Sequence, residues 1–363
     1  MVQPIVLVTG ATGFVGGAVA ASLLRAGTRL VFLVRGDDAR RRVAASVTRF
    51  AESADDAAAI AQATTGARVL IGDLRSMPRC PAASLGHVTH VVHAAACTSF
   101  RSTRTVHVTN VEGTAALMEV LRRCRSLERV VHVSTAYACG RVTAAVVRED
   151  VPLDDADHPA EYSRSKARAE RMLRAEFGDL PIVVARPSAV DGHSRLGCAP
   201  SSSLFWYYRA LATMRLAPFG ADTRRDIVPV DWVDAALRAL LFAPSLAHRL
   251  YHVSAGVHSS APWRAIATAL QAPPNAPLRV AAPESIADDP AELARVFGRG
   301  DVARLSRALT SCARFGVTGA ECFDNSRLLA ERVAPPPPFT AYADRCLATT
   351  AGRSMFALLD DDA

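Results

Sequence analysis

Alternating strand and helix patterns over the first half of the chain predict an α/β fold built on a doubly wound parallel sheet. Apolar, β-branched runs occupy residues 5–8, 29–34, 67–71, 90–93, 130–133 and 181–185. Helical patterns separate these runs. Because parallel strands need helical crossovers, ligands are expected at the carboxyl ends of the strands.

The first strand runs into a glycine-rich turn that opens the first helix. The stretch Thr9-Gly10-Ala11-Thr12-Gly13-Phe14-Val15-Gly16 has the spacing G-x-x-G-x-x-G. Gly10 permits a tight turn, Gly13 lets backbone N–H groups approach a pyrophosphate, and Gly16 lets the helix pack close to the strand. The N–H groups at the start of the helix favour an anion. This context predicts a Rossmann-type dinucleotide site.

The second strand ends at Arg35, about 20 residues beyond the glycine turn, where the ribose of a dinucleotide is recognised. An Asp or Glu at this position holds a 2′-hydroxyl, whereas a guanidinium suits a 2′-phosphate. Three further arginines follow at residues 40–42. Arg35 therefore favours NADPH, although Asp37 lies close enough to leave NADH as the alternative.

The composition excludes several classes of protein. Only 6% of the 363 residues are aromatic, and the net charge of +7 is spread without a basic block, so no nucleic-acid partner is expected. No apolar run reaches the ~18 residues of a membrane span. No signal peptide is expected, because residues 1–4 carry no basic segment or cleavage site before the first strand, and the eight cysteines form no C-x-x-C pair. These features indicate a cytoplasmic protein with reduced thiols.

A single lysine marks a candidate catalytic pair. Among the 42 lysine and arginine residues only Lys166 is a lysine, and it stands four residues after Tyr162. In the helical pattern over 160–176 these two side chains share one face. An ammonium beside a phenol lowers the phenol pKa and suits it to proton exchange with a carbonyl oxygen. A solvent-facing pair is the alternative.

Two hydroxyl residues, Ser134 and Thr135, follow the fifth strand at its carboxyl end. Either hydroxyl can donate a hydrogen bond to the reacting carbonyl oxygen and stabilise the charge that develops there. The spacing does not decide which of them faces the site. No histidine or cysteine cluster has the spacing of metal ligands, so no metal is expected. Cys139 lacks a paired histidine base.

The pattern changes after Arg186, where the strand–helix alternation gives way to stretches rich in Gly, Ser and Pro. We predict a dinucleotide-binding Rossmann domain over residues 1–190, to which residues 225–255 return. A smaller, mostly helical substrate-binding part is expected over residues 191–224 and 256–353. Residues 354–363 are predicted to form a flexible tail.

Together these motifs resemble the extended short-chain dehydrogenase/reductase superfamily, over residues 4 to about 255. Besides the glycine turn, the motifs are Gly72-Asp73-Leu74, His93-Ala94-Ala95-Ala96, Asn110-x-x-Gly113-Thr114, Ser134-Thr135-Ala136-Tyr137, Tyr162-x-x-x-Lys166 and Arg186-Pro187-Ser188. The resemblance implies that Thr135 is the catalytic hydroxyl and Tyr162 the general acid/base. It assigns Lys166 to the nicotinamide ribose.

The same resemblance implies the cofactor-binding residues. They are Gly10, Thr12, Gly13, Phe14, Val15, Gly16, Arg35, Asp73, Leu74, Ala94, Ala95, Ala96, Asn110, Lys166, Pro187, Ser188 and Val190. Members of the superfamily often dimerise, so an oligomer is compatible with this sequence.

Within the superfamily, residues 33–35, 186–197 and 226–233 look most like the thioester reductase and fatty acyl-CoA reductase branch. Members of that branch use NADPH to reduce acyl thioesters on coenzyme A or a carrier protein. The implied function is reduction of an acyl thioester to an aldehyde, with a second reduction to the alcohol as an option. The predicted substrate-binding residues are Ser134, Thr135, Arg224 and Arg225.

Two other functions remain open at this point. The arginine pair Arg224 and Arg225 also resembles nucleotide-sugar epimerases and dehydratases, where an arginine grips the diphosphate; a hydroxysteroid-type dehydrogenase uses the same scaffold. In the thioester reductase these arginines would meet a phosphate of pantetheine or coenzyme A. A non-catalytic NADP-binding regulator is the third hypothesis, which the intact Thr135, Tyr162 and Lys166 argue against.

Overall fold

The computed structural model describes residues 3–75, 85–98, 103–142, 144–151, 153, 157–271, 277–316 and 321–361. The strands are β1 (Ile5–Thr9), β2 (Arg29–Val34), β3 (Arg68–Ile71), β4 (His90–His93), β5 (Arg129–Val133), β6 (Val146–Val147), β7 (Ile182–Pro187), β8 (Ala189–Val190), β9 (Arg224–Arg225), β10 (Ile227–Val228), β11 (Leu250–Val253), β12 (Ala261–Pro262) and β13 (Cys322–Phe323). Seven of them form a parallel sheet in the order β11-β7-β5-β4-β1-β2-β3. The predicted parallel α/β fold is confirmed.

The α-helices connect these strands or form the smaller part of the molecule. They are α1 (Phe14–Arg25), α2 (Ala39–Thr48), α3 (Ala54–Gly66), α4 (Thr103–His107), α5 (Gly113–Leu121), α6 (Glu161–Glu176), α7 (Phe205–Met214), α8 (Val230–Phe242), α9 (Gly256–Ser259), α10 (Trp263–Ala269), α11 (Pro290–Phe297), α12 (Val302–Gly316), α13 (Ser326–Ala330), α14 (Ala343–Thr349) and α15 (Met355–Asp360). Within the described ranges, no helix is both long enough and apolar enough to cross a bilayer.

Both faces of the sheet are buried, which explains why its strands are continuous apolar runs. Along β1, Val6 and Val8 pack into a core that includes α1 and α8. The intervening Leu7 packs on the opposite face, into a core that includes α5 and α6. The sheet is therefore covered by helices on both sides, and its strand ends are the edges left for ligands.

A separate apolar core holds the smaller part together. It contains side chains of α7, α10, α12, α14 and α15, with Trp206 and Trp263 fully buried. The chain leaves the seven-stranded sheet after β7, and β8 then pairs with β10 in a separate two-stranded parallel ladder, in which Ala189 lies opposite Ile227. This ladder holds the excursion over residues 191–224 beside the carboxyl ends of β5 and β7.

The structure departs from the sequence-based expectations at the C-terminus. The prediction of a flexible tail is wrong for residues 355–360, because α15 buries Met355, Leu358 and Leu359 in the core of the smaller part. Residues 362–363 lie outside the described residues. Asn110 lies within a π-helical turn (Val108–Glu112) between α4 and α5.

Candidate active site

The glycine turn after β1 has the geometry that a pyrophosphate needs. Gly10 has φ +76°, and a Cβ there would lie 2.6 Å from the backbone of Ala94; a Cβ on Gly16 would lie 2.2 Å from the Gly10 oxygen. At Gly13 a Cβ would meet only the Gly10 oxygen, at 3.4 Å, and would project into the space in front of the turn. Gly13 is also the N-cap of α1 and leaves its first-turn N–H groups without a side-chain cap.

A cavity of about 220 Å³ lies on one side of this turn, at the ends of β1, β2 and β3. Its lining includes nine of the predicted cofactor-binding residues: Gly10, Thr12, Gly13, Arg35, Asp73, Leu74, Ala94, Ala95 and Ala96. Arg42 and Arg75 line it too. This combination of a glycine turn, small residues and guanidinium groups suits the adenosine end of a dinucleotide.

The arginines near this cavity have different partners. Arg42 donates a hydrogen bond to the Arg35 oxygen at 2.8 Å and so stays beside the cavity. Arg40 instead turns to the carbonyls of Thr65 and Ala67, and Arg41 pairs with Asp38. The sequence singled out this cluster but missed Arg75, whose guanidinium pairs with Asp73 at 3.0 Å.

A second cavity, of about 390 Å³, opens on the other side of the turn. It contains the other predicted cofactor residues except Asn110, and all three predicted catalytic residues. The predicted residues in its lining are Gly10, Gly13, Phe14, Val15, Gly16, Ala94, Ala96, Ser134, Thr135, Tyr162, Lys166, Pro187, Ser188, Val190 and Arg225. A larger cavity of about 690 Å³ lies at the opposite edge of the sheet, beside the amino ends of β1 and β2, and contains none of them.

The two hydroxyl residues after β5 have different environments. The Ser134 hydroxyl donates a hydrogen bond to Glu170 at 2.5 Å, and Glu170 pairs with Arg186 at 2.7 Å; the side chains of this ion pair are 1% exposed. Thr135 caps a short 3₁₀-helix (Ala136–Cys139), where its hydroxyl accepts a long 3.3 Å hydrogen bond from the Tyr137 N–H. The geometry therefore leaves the Thr135 hydroxyl better able than that of Ser134 to donate to a substrate.

Tyr162 and Lys166 lie in the cavity, but their protonation behaviour differs from the sequence-based expectation. Burial raises the pKa of Tyr162 to about 12, so the expected lowering by the ammonium does not occur in this structure. Burial lowers the pKa of Lys166 to about 8, against a smaller opposing effect of Glu170. The Lys166 ammonium donates to the Val133 oxygen at 2.7 Å. The phenol thus holds its proton at neutral pH.

Asn110, predicted to bind the cofactor, lines neither of these two cavities. Its side-chain oxygen accepts from the Cys97 N–H at 2.7 Å, and its amide donates to the Cys97 oxygen and the Ser165 hydroxyl. The residue therefore ties the loop after β4 to α6. Because α6 carries both Tyr162 and Lys166, Asn110 helps to fix the helix that bears the predicted catalytic pair.

The side chains of the two neighbouring arginines on β9 have different surroundings. Arg224 donates to the Ser260 hydroxyl at 2.9 Å and to the Val257 oxygen at 2.9 Å, and it lines neither of these two cavities. Arg225 lines the larger of the two cavities and is 5% exposed. The alternation of side chains along a strand explains the difference.

Sequence reasoning missed the far wall of this cavity. Tyr207 and Tyr208 reach it from α7, and Cys312, Phe315 and Gly316 from the C-terminal turn of α12. The pattern Trp206-Tyr207-Tyr208 was visible in the sequence, but its meaning depends on how α7 packs against α12. Only the fold supplies that contact.

The lining fits a dinucleotide without a metal centre. A Cβ at Gly13 would fill the space that a pyrophosphate needs, and the first-turn N–H groups of α1 face it. Within the described parts of the chain, no group of three or more His, Cys, Asp and Glu side chains is placed to hold a metal ion.

Known proteins share this sequence pattern and fold. Residues 8–237 match the family model described as male sterility protein, a model of NAD-binding domains. The fatty acyl-CoA reductase 1 of Xenopus laevis is 30% identical over 51% of this chain and 43% of its own length. The nonribosomal peptide synthetase FrzA of a Cladobotryum species is 28% identical over 68% of this chain. This chain spans only 26% of that synthetase.

A solved structure agrees over almost the whole chain. The terminal R domain from the myxalamid PKS-NRPS biosynthetic pathway superposes with a TM-score of 0.77 at 20% identity, covering 97% of this chain and 92% of that one. At that identity the likeness shows the fold. The family model covers well over half of the sequence and confirms the resemblance drawn from the motifs, so the chain belongs to the male sterility protein family of NAD-binding domains.

Proposed function

We propose that this protein is an NADPH-dependent reductase that acts on an acyl thioester. The observation that carries the proposal is the shared lining of one cavity by the glycine turn, Thr135 and Tyr162. A hydride donor bound at the turn, a proton donor and a carbonyl substrate would meet there. The family relatives include a fatty acyl-CoA reductase and a nonribosomal peptide synthetase, which supports coenzyme A or a carrier protein as the thiol partner.

Arg35 and Arg42 support NADPH over NADH. Both line the cavity at the end of β2, and a hydrogen bond to the Arg35 backbone oxygen keeps the Arg42 guanidinium beside the end of that strand. A 2′-phosphate there would accept charge-assisted hydrogen bonds. Asp37, the residue that left NADH open, is not part of this lining.

Thr135 and Tyr162 would hold the thioester oxygen. NADPH held at the glycine turn would supply the hydride for the thioester carbonyl carbon. Because the pKa of Tyr162 is about 12, its phenol carries a proton at neutral pH and donates it to the oxygen as charge develops. The Thr135 hydroxyl donates a second hydrogen bond to the same atom. The resulting hemithioacetal breaks its C–S bond to give an aldehyde and a thiol.

Lys166 and Asn110 would orient these groups. An ammonium has three N–H donors, and Lys166 uses one of them to donate a hydrogen bond to the Val133 oxygen. The remaining donors are free to hold the hydroxyls of the nicotinamide ribose. Asn110 fixes α6 through Ser165 and the loop after β4, which keeps Tyr162 and Lys166 at the strand ends.

Coenzyme oxidation with matched substrates tests the proposal. We expect NADPH to be consumed with an acyl-CoA or an acyl-pantetheine and not with a UDP-sugar. Aldehyde formation is followed in the same reaction by trapping with a hydrazine. Epimerisation or dehydration of a UDP-sugar, followed by chromatography because it consumes no coenzyme overall, or reduction of NADP⁺ by a hydroxysteroid, without turnover of any thioester, would assign the protein to the alternative enzymes. Binding of NADPH without turnover of any substrate would instead favour a regulator.

A further inference from the structure

The far wall of the larger active-site cavity carries a buried guanidinium. Arg225 is 5% exposed, and its Nη1 donates to the Gly316 oxygen at 3.1 Å. Its guanidinium carbon lies 4.1 Å from the ring centroid of Phe219. The aromatic ring and the end of α12 thus hold the guanidinium against the cavity.

This guanidinium lacks a counter-charge. Among the described residues, no Asp or Glu forms an ion pair with Arg225, and its Nε atom has no hydrogen-bond partner. The neighbouring Tyr207, 3% exposed, also has a hydroxyl without a partner among those residues. A buried, uncompensated charge is costly, and unpartnered polar groups that line a cavity point to a ligand.

We infer that Arg225 and Tyr207 form a subsite for a second carboxylate on the substrate, so that the preferred acyl groups come from short dicarboxylic acids. A guanidinium matches a carboxylate through its planar fork, and the Nε atom of Arg225 is buried without a hydrogen-bond partner among the described residues. The Tyr207 hydroxyl adds a neutral donor. This inference rests on the proposed thioester reduction, because it places the first carboxyl carbon, as the thioester, beside Tyr162.

The size of the cavity argues against a carrier phosphate at Arg225. The cavity volume of about 390 Å³ lies at the lower end of the usual range for small-ligand sites. An extended phosphopantetheine arm separates its phosphate from its sulfur by roughly 15–20 Å at ordinary bond lengths. Because Arg225 and Tyr162 line the same cavity, we infer that the group that contacts Arg225 belongs to a short acyl chain and not to the far end of a carrier arm.

Matched pairs of coenzyme A thioesters test this subsite. Malonyl, succinyl and glutaryl thioesters are compared with the propionyl, butyryl and valeryl thioesters of equal chain length. For the preferred length, we expect the wild-type kcat/KM to favour the carboxylated member. Arg225→Met should lower that preference roughly 10- to 100-fold, the range for a lost charged hydrogen bond. Tyr207→Phe should lower it a few-fold.

Arg224→Met is the matched control, because the adjacent guanidinium contacts the turn at 257–260 and lies outside the cavity. Its ratio of charged to uncharged kcat/KM should equal that of the wild type. A wild type that favours the uncharged thioesters would overturn the subsite and leave the proposed function intact. So would equal changes of the ratio in Arg224→Met and Arg225→Met.

Binding measurements separate the two proposals. If no thioester is turned over, the proposed function fails, and titration calorimetry with the same thioester pairs decides the subsite. Tighter binding of the carboxylated member to the wild type, lost in Arg225→Met, supports it. Equal dissociation constants for both members of every pair reject it.

Discussion

The buried polar groups around the coenzyme and those on the far wall of the substrate cavity are partnered differently. Near the ends of β4 and β5, Asn110, Ser134 and Lys166 hydrogen-bond to other protein groups, although His132 and the Nη1 atom of Arg186 keep atoms without partners among the described residues. Between α7 and α12, Tyr207 and Arg225 keep atoms without partners among the described residues. A network of polar side chains whose hydrogen bonds are made fixes the positions of those side chains. Buried polar groups without partners are instead candidates for contact with a ligand. We call the first region, which contains Asn110, Ser134 and Lys166 with their partners, the frame. We call the second region, which contains Tyr207 and Arg225, the receptor.

Tyr162 stands between the two regions, and its loss should have the largest effect. Tyr162→Phe removes the proton donor while the frame stays intact, so kcat should fall roughly 10²- to 10⁴-fold. NADPH affinity, measured by fluorescence titration, should change little. Tyr251→Phe is the control, because that phenol bonds to Glu331 outside the cavity. Unimpaired turnover in Tyr162→Phe would remove the residue from the chemistry.

Stability measurements separate frame from receptor directly. Glu170→Gln leaves the guanidinium of Arg186 without a counter-charge in a site where both side chains are 1% exposed. We expect a loss of about 3 kcal/mol in the free energy of unfolding, measured by urea denaturation. Tyr207→Phe deletes a hydroxyl that has no partner among the described residues, so stability should stay within about 1 kcal/mol or rise.

Glu176→Gln is the control for the frame variant, because it makes the same substitution at an exposed position of α6. Its effect should remain within about 0.5 kcal/mol. Equal losses in Glu170→Gln and Tyr207→Phe would mean that the two regions do not differ in this way.

The frame was predictable from sequence because local spacing determines most of it. The glycine turn, the i,i+4 pair of Tyr162 and Lys166 and the residues ending each strand all follow from the position of a residue within one element. The buried Glu170–Arg186 pair was not visible, since it joins a helix to a strand through two side chains. Asn110 was identified, but spacing could not show that its amide faces Cys97 instead of a cavity.

The receptor was predictable only in part. Arg224 and Arg225 looked equivalent in the sequence, and the strand pairing that separates them is a contact with residues 261–262. The wall formed by α7 and α12 joins segments about a hundred residues apart. No periodicity within either segment predicts such a contact.

Arg35 tests the coenzyme end of the frame. Arg35→Ala should weaken NADPH binding roughly 10- to 100-fold, by loss of a charge-assisted contact to the 2′-phosphate, and NADH binding much less. Arg40→Ala is the matched control, because its guanidinium contacts the Thr65 and Ala67 carbonyls. Dissociation constants for both coenzymes measure the outcome. An equal loss of affinity for NADPH and NADH would mean that Arg35 does not contact the 2′-phosphate.

Lys166 should show the smallest effect, as a dependence of stability on pH. Burial lowers its pKa to about 8 from the ordinary 10.5. The charged lysine is therefore destabilising in the folded state below about pH 8. Between about pH 8 and pH 10.5 the unfolded chain binds more protons, so stability rises with pH. Lys166→Met removes the destabilisation caused by the buried charge, at most about 3 kcal/mol. It also removes the stabilising hydrogen bond to Val133, about 1 kcal/mol.

Lys166→Met should therefore be more stable than the wild type at pH 7 by about 1–2 kcal/mol, although its coenzyme binding is weakened. The difference should shrink as the pH rises from 8 towards 10.5, as followed by urea denaturation at each pH. Lys166→Arg is the control, because a guanidinium stays charged over this range and its stability deficit relative to Lys166→Met should not vary with pH. If the difference in the free energy of unfolding between wild type and Lys166→Met does not change with pH, the ammonium keeps its ordinary pKa. Burial would then not destabilise the charged lysine in the folded protein.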